Sequence, residues 1–118
     1  MTGLLNNRCV TVFELLKPAG YTTCAVGRLD MVTAANWHDP AMIARCVDRF
    51  LGSTGHTGPG NYFKDVRGSD FFCDGQPYTL PTNAYKTDLI TDFAVKFIGE
   101  AAKKPEPFFL YVAEYAPH

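Results

Sequence analysis

The segment TDLITDFAVKFIGEAAKKPEPFFLYVA, residues 87–113, decides the fold. In its first half, apolar residues recur at the i, i+3, i+4, i+7 spacing of one helix face. The members of this stripe are Leu89, Ile90, Phe93, Ala94, Phe97, Ile98 and Ala101. Asp88 suits the start of such a helix and Lys103-Lys104 suit its end, because each charge complements the helix dipole there. After the short link PEP, the run FFLYVA is typical of a strand covered on both faces. A helix, a short link and a buried strand together predict an α/β fold.

The N-terminal part of the chain has the same order of elements. The stretch RCVTVFELLKPAGY predicts a helix with Thr11 as a possible cap, ended by Pro18 and Gly20. The apolar residues on its predicted face are Val12, Leu15 and Leu16, with Val10 and Phe13 alongside. The following run YTTCAVG, residues 21–27, is short, rich in threonine and small apolar residues, and ends at a glycine, which predicts a strand buried in a sheet.

The middle of the chain, from Arg28 to about Tyr85, lacks a clear helical or strand period. Glycine and proline punctuate it, as in LGSTGHTGPGNYF and CDGQPY, which predicts a long loop-rich excursion around a sheet edge. A short hairpin is predicted within DFFCDGQPY, where Asp74-Gly75 is a turn signal between aromatic flanks.

Composition excludes several function classes and indicates one domain. The 118 residues carry 11 Lys+Arg against 12 Asp+Glu, a formal net charge of -1, so no basic surface for nucleic acid or anionic lipid is expected. No window approaches the roughly 18 apolar residues of a membrane span. The start MTGLLNNRCV has no basic segment followed by an apolar core, so no signal segment is identified and the compartment is left open.

The four cysteines do not predict a metal site. Cys9, Cys24, Cys46 and Cys73 are 15, 22 and 27 positions apart, whereas structural zinc sites use close pairs. We interpret all four as core or surface thiols, and no residue of the chain is assigned as a metal ligand.

Two short motifs follow the predicted strands and are the candidate functional site. VGRLD places Arg28 and Asp30 after the first strand, and EYAPH places His118 after the last. Ligands gather at the carboxyl ends of strands in open parallel sheets. Arginine binds tetrahedral oxyanions such as sulfate or phosphate through its planar fork, and histidine can protonate a leaving oxygen near neutral pH. A surface arginine and a histidine without function are the alternative, which residue chemistry alone favours.

Three blocks of the sequence resemble the sulfatase family. CVTVFELLKPAGYTTCAVGR is similar to the helix and strand that lead into that family's G-K-W-H loop. RCVDRF is similar to its R-G-F-D-R-F stretch, and residues 87–118 resemble the helix, strand and A-P-H loop of the arylsulfatase branch. The resemblance implies a partial alkaline-phosphatase-like α/β/α sandwich with a mostly parallel sheet. It implies that residues 1–118 are an internal fragment of a single sulfatase-type catalytic domain that hydrolyses sulfuric esters.

The resemblance also assigns roles to two residues. Arg28 stands where the family has a sulfate-binding lysine, and His118 matches the A-P-H histidine, which contacts the sulfate and protonates the leaving group. Arg28 and His118 are therefore expected to bind substrate, and His118 to be catalytic. Two positions depart from the family pattern: Asp30 replaces the histidine of G-K-W-H, and Cys46 replaces a glycine.

The resemblance further implies that essential parts lie outside these 118 residues. The family nucleophile, a cysteine oxidised to formylglycine in C-x-P-S-R, has no counterpart here, and neither do the acidic residues that hold calcium (or magnesium). We therefore expect the chain alone to be inactive, and the complete enzyme to act on a sulfate ester of a small molecule or glycan. Relatives are often periplasmic, secreted or lysosomal. The alternatives are a non-catalytic α/β remnant or interaction module, and a phosphodiesterase or phosphatase of the same superfamily.

Overall fold

A computed structural model describes residues 9–29, 47–53 and 71–117 of the chain. Within these ranges it has two helices and five strands in one sheet of order β4-β3-β2-β1-β5. The elements in chain order are α1 Val12–Leu16, β1 Thr22–Arg28, β2 Arg49–Ser53, β3 Phe71–Cys73, β4 Gln76–Pro77, α2 Lys86–Ala101 and β5 Phe108–Ala113.

The sheet is parallel where the candidate site lies. β1 is paired in parallel with β2 on one side, from Cys24 to Arg28, and with β5 on the other, from Thr22 to Gly27. The short strands β3 and β4 extend the β2 side as an antiparallel hairpin. The prediction of an α/β fold with a mostly parallel sheet is therefore confirmed.

Alternate residues of β1 and β2 enter two different hydrophobic clusters. Cys24, Val26 and Leu51 belong to the cluster that α2 covers, whereas Ala25 and Phe50 belong to the cluster that includes α1. Successive strand residues point to opposite faces, so the two helices cover opposite faces of the sheet. The layers are therefore helix, sheet and helix.

The apolar stripe of α2 belongs to the larger of the two clusters. Its fully or nearly buried members are Ile90, Ala94, Phe97 and Ala101. Leu89 and Phe93 pack against this cluster while partly buried, but Ile98 is 41% exposed, so the predicted stripe is one residue too wide at its C-terminal end.

Helix α1 begins as predicted at Thr11 but faces the sheet differently. The Thr11 side chain accepts a hydrogen bond from the Glu14 backbone N–H, and the Glu14 carboxylate accepts one from the Thr11 N–H, which is a capping box. Phe13, the only buried residue of this five-residue helix, packs on the Phe109 ring at 5.5 Å between centroids. Leu15, predicted to lie on the apolar face, is 63% exposed, because a helix this short contacts the sheet through one side chain.

The region predicted to be loop-rich contains one unpredicted strand and the predicted hairpin. β2 was missed because it is short, includes Gly52 and shows no alternation. The hairpin β3–β4 turns at Asp74 and Gly75, whose φ angles of 49° and 82° are those that a two-residue hairpin turn requires. The Asp74 carboxylate also accepts a 2.8 Å hydrogen bond from the Phe50 N–H, which ties the turn to β2.

Strand β5 is less buried than its sequence predicts. Among the described residues it pairs only with β1, and Phe108, Tyr111 and Val112 are 37%, 45% and 44% exposed. The prediction that both faces are covered is wrong for these ranges, because β5 lies at the sheet edge and α1 contacts it through Phe13, which meets the rings of Phe109 and Tyr111. In the described part of the chain, no helix has the length and apolar character needed to cross a bilayer.

Asp48 joins the segment before β2 to the start of β1. Its Oδ2 accepts hydrogen bonds from the Thr23 backbone N–H at 2.8 Å and from Thr23 Oγ1 at 2.9 Å. Its Oδ1 lies 3.0 Å from Lys17 Nζ. Partial burial acts to raise the pKa of Asp48, but the bonds from Thr23 and Lys17 outweigh it and leave the pKa below the ordinary value of 3.8.

We expect Asp48→Asn to destabilise the chain by about 1–2 kcal/mol at neutral pH, because the amide loses charge-assisted hydrogen bonds. Since the folded-state pKa is lowered, the contribution of Asp48 is present above about pH 5 and is lost as the pH falls through the lowered value. Urea unfolding between pH 7 and pH 2.5 measures both effects. The matched control is Asp92→Asn on the exposed side of α2, which should change the stability little at neutral pH. An acid-induced loss in Asp48→Asn equal to that of the wild type would contradict this assignment.

Candidate functional site

The three parallel strands end side by side at one edge of the sheet, called here the carboxyl edge. Arg28, the last residue of β1, is the register partner of Ser53, the last residue of β2. Gly27 is the register partner of Ala113, the last residue of β5. Arg28 and residues 114–117, which follow β5, therefore leave the sheet at the same edge.

Two glycines permit the close approach of the strands at this edge. Gly27 has a φ of 98°, and a Cβ atom there would overlap the carbonyl oxygen of Ala113. A Cβ atom on Gly52 would overlap the carbonyl oxygen of Gly27 in turn. Gly27, Gly52 and Ala113 thus form a row of small residues across β2, β1 and β5, directly before the residues of the candidate site.

Tyr115 is the most extensively held side chain of the segment after β5. It is 6% exposed, and its hydroxyl hydrogen-bonds the Ser53 hydroxyl. The ammonium of Lys86, at the first residue of α2, lies 5.1 Å from the centre of the Tyr115 ring. Phe71 contacts the same ring at 6.4 Å between centroids.

The described charges at the carboxyl edge are of both signs. Arg28 is partly buried and Lys86 is fully buried, so water screens their positive charges less than it screens the charge of an exposed side chain. Glu114 is more exposed, and Thr91 Oγ1 donates a hydrogen bond to it at 3.4 Å. Burial raises the pKa of Glu114, although the Thr91 hydroxyl opposes the rise. An anion is therefore favoured on the Arg28 side of the edge and disfavoured beside Glu114.

The cysteines within the described ranges are free thiols, as predicted. Cys9 is exposed and Cys73 is partly buried, whereas Cys24 is completely buried in the α2 cluster. Burial raises the pKa of Cys24 to about 12, so its thiolate is not available as a nucleophile near neutral pH. Cys46 lies outside the described residues.

The predicted site residues are only partly described. Arg28 is at the carboxyl edge, whereas Asp30 and His118 lie outside the described residues, so the roles assigned to Arg28 and His118 stay predictions. The sequence did not predict Ser53 and Lys86 as site residues, because neither belongs to a local motif with Tyr115, which both contact. The only sequence feature that pointed toward them was Tyr115, which lies in the EYAPH motif.

The described residues do not fit a metal site. Across residues 9–29, 47–53 and 71–117, no three histidine, cysteine, aspartate or glutamate side chains group closely enough to hold a metal ion.

A model of the sulfatase family matches residues 2–118. The chain belongs to the sulfatase family. It is 30% identical over 105 residues to an N-acetylglucosamine-6-O-sulfatase of Bacteroides thetaiotaomicron, a match that covers 89% of this chain and 16% of the relative. It is 42% identical over 45 residues to the sulfatase ppz1 of Metarhizium majus, which covers 38% of this chain and 11% of that protein.

Solved structures agree with the sulfatase assignment. The crystal structure of Ps i-CgsB superposes with a TM-score of 0.69 at 29% identity, covering 89% of this chain and 26% of that one. The structure of Ps i-CgsB in complex with k-i-k-neocarrahexaose matches equally well. The predictions of the family and of an alkaline-phosphatase-like α/β fold are thus confirmed. Sulfatases generally use a divalent metal. This chain spans about a quarter or less of the length of each of these proteins.

Proposed function

We propose that this chain forms the substrate-binding edge of a sulfuric ester hydrolase. The observation that carries the proposal is the parallel register of β2, β1 and β5, which brings Arg28 and the segment leading into His118 to one edge of the sheet. An oxyanion bound there meets the guanidinium of Arg28, whose two parallel N–H donors match two oxygens of a sulfate group.

The chemistry follows from the charge that develops as the ester breaks. When the bond between sulfur and the ester oxygen is cleaved, the leaving oxygen gains negative charge and needs a proton. His118, which follows Pro117 directly in the chain, is the proposed donor, because an imidazolium transfers a proton readily near neutral pH. Arg28 holds the sulfate oxygens and does not take part in proton transfer. The nucleophile and the expected calcium (or magnesium) would be held by residues other than those described.

A sulfated glycan is the proposed class of substrate, with a sulfated small molecule as the wider possibility. Two of the similar proteins support this proposal. One is named for a sulfated amino sugar, and the other has been solved in complex with neocarrahexaose.

Asp30 favours the second candidate, a non-catalytic α/β module, because a carboxylate close to a sulfate would repel it. Arginine chemistry alone does not separate sulfate from phosphate, so a phosphate ester is the necessary comparison.

We expect the 118-residue chain alone to show no sulfatase turnover above a buffer control. A positioned general acid supplies about 10²–10⁴-fold, whereas enzymes accelerate reactions by about 10⁶–10¹⁷-fold, and the nucleophile is missing here. The polypeptide translated from the complete reading frame around these codons should hydrolyse N-acetylglucosamine 6-sulfate or a chromogenic aryl sulfate. It should act more slowly on the matching phosphate ester.

Two results would contradict the proposal. One is turnover by the 118-residue chain that His118→Ala abolishes, which would place a complete catalytic site in this segment. The other is a full-length protein that binds sulfated sugars without hydrolysing them, or that prefers the phosphate ester. Binding without hydrolysis would support the non-catalytic module, and preference for phosphate would support the phosphatase alternative.

A further inference from the structure

The hydroxyl of Tyr115 connects two strands that are not neighbours. Tyr115 follows β5 and Ser53 ends β2, and β1 lies between these strands in the sheet. Neighbouring strands are about 4.8 Å apart, so β2 and β5 are separated by roughly 10 Å. The Tyr115 side chain crosses the end of β1 to reach the Ser53 hydroxyl. It therefore fixes the segment after β5 relative to the end of β1, where Gly27 and Arg28 lie.

Two further contacts fix the Tyr115 ring. Lys86 lies with its ammonium 5.1 Å from the ring centre, and its side chain has no exposed surface. Attraction between a cation and an aromatic ring is stronger when water is excluded. Phe71 of β3 contacts the ring at an angle of 30° between the ring planes. One side chain is thus held by β2, β3 and α2 together.

The polar contacts of Tyr115 with Ser53 and Lys86 are not those expected if the site only stabilised the fold. A completely buried lysine is rare because removal of its charge from water is costly. Apolar residues of similar volume often stabilise a buried site equally well or better, whereas polar contacts with defined geometry favour one arrangement. The buried Lys86 and the hydroxyl pair of Ser53 and Tyr115 therefore indicate that the position of the Tyr115 segment matters.

We propose that Ser53, Lys86 and Tyr115 form a positioning network, which we call the Tyr115 clamp, for the active site. This proposal rests on the proposed function, since its purpose is to hold residues 114–117 so that His118, three residues beyond Tyr115, reaches the leaving oxygen. The three residues are not expected to touch the substrate. They act through the backbone of the segment that precedes His118.

The clamp is tested in the full-length protein with Tyr115→Phe, which keeps the ring and its contact with Lys86 but removes the hydroxyl. We expect kcat to fall about tenfold with little change in KM, because small errors in the placement of a catalytic group reduce rate rather than binding. Ser53→Ala should have the same effect, and the double variant should be no worse than either single variant. Lys86→Met should lower kcat as well, and Lys86→Arg should restore part of it.

The matched control is Tyr78→Phe. Tyr78 contacts the same Phe71 ring, at 6.3 Å, and packs against the same cluster as Tyr115, but it follows β4 in the chain and is not a member of the clamp. It should keep the kcat of the wild type. If Tyr115→Phe lowers the melting temperature but leaves kcat per folded molecule unchanged, the role is only structural and the proposal is wrong.

Amide hydrogen exchange tests the clamp without any enzymatic assay. In Tyr115→Phe and Ser53→Ala, peptides that cover residues 114–117 should exchange at least about tenfold faster, while peptides of α2 keep their rates. Unchanged exchange in residues 114–117 would overturn the clamp even in an active enzyme. Absence of sulfatase activity in the wild type would overturn the proposed function, and faster exchange in the variants would still show that the network holds the segment.

Discussion

Gly27→Ala is expected to prevent the chain from folding. Gly27 has a φ of 98°, a conformation that costs a residue with a side chain roughly 1–3 kcal/mol. The added Cβ would also overlap the Ala113 carbonyl, which is backbone and cannot rotate away. Relief would require β1 and β5 to separate at the carboxyl edge, so we expect a total loss of more than about 4 kcal/mol, which is exceptional for one substitution.

Chemical denaturation monitored by circular dichroism measures this effect. The matched control is Gly99→Ala in α2, where the added Cβ meets nothing within 4 Å. That variant should be as stable as the wild type or more stable by about 0.5–1 kcal/mol, since alanine favours helix over glycine. If Gly27→Ala unfolded at the same denaturant concentration as Gly99→Ala, the close approach of β1 and β5 would be disproved.

His118→Ala should lower kcat of the full-length sulfatase by about 10²–10⁴-fold, the usual contribution of a general acid. The loss should depend on the leaving group. A nitrophenyl sulfate, whose leaving oxygen is a weak base, needs little help from an acid, whereas a sugar alcohol needs protonation. The loss should therefore be largest for the sulfated sugar. The fall in rate that occurs as the pH rises and the histidine loses its proton should also disappear.

Two control variants separate this role from general damage. His38→Ala removes a histidine that the sequence places in a polar stretch, and it should retain full activity. Arg28→Lys should stay within about tenfold of the wild type because it keeps the charge, whereas Arg28→Ala should mainly raise KM. An equal loss by His118→Ala on both classes of ester would exclude protonation of the leaving group as the role of His118.

The elements that sequence predicted well are those whose signals are local. The stripe of α2, the cap at Thr11 and the turn at Asp74-Gly75 each depend on residues within a few positions of one another. β2 was missed because five residues that include Gly52 carry neither alternation nor a strong apolar run, and its pairing with β1 supplies most of its stability.

The candidate site could be predicted only in outline. Arg28 and the EYAPH segment were found because each follows a recognisable strand, and the parallel register then places both at one edge. Ser53 and Lys86 were not found, because their relation to Tyr115 crosses 62 and 29 positions of the chain and no periodicity encodes it. Similarly, the exposure of β5 depends on which strands lie beside it, and its own apolar sequence does not predict those neighbours.

The row formed by Gly52, Gly27 and Ala113 has a consequence for protein engineering. A saturation library at either glycine should return almost no active clones, because the obstacle is a neighbouring backbone rather than a side chain that a second substitution could shrink. Diversity that changes substrate preference is better directed to exposed positions beyond the row, beginning at Glu114 after β5. Selection experiments on the full-length protein should therefore keep the strand ends constant and alter the residues that follow them.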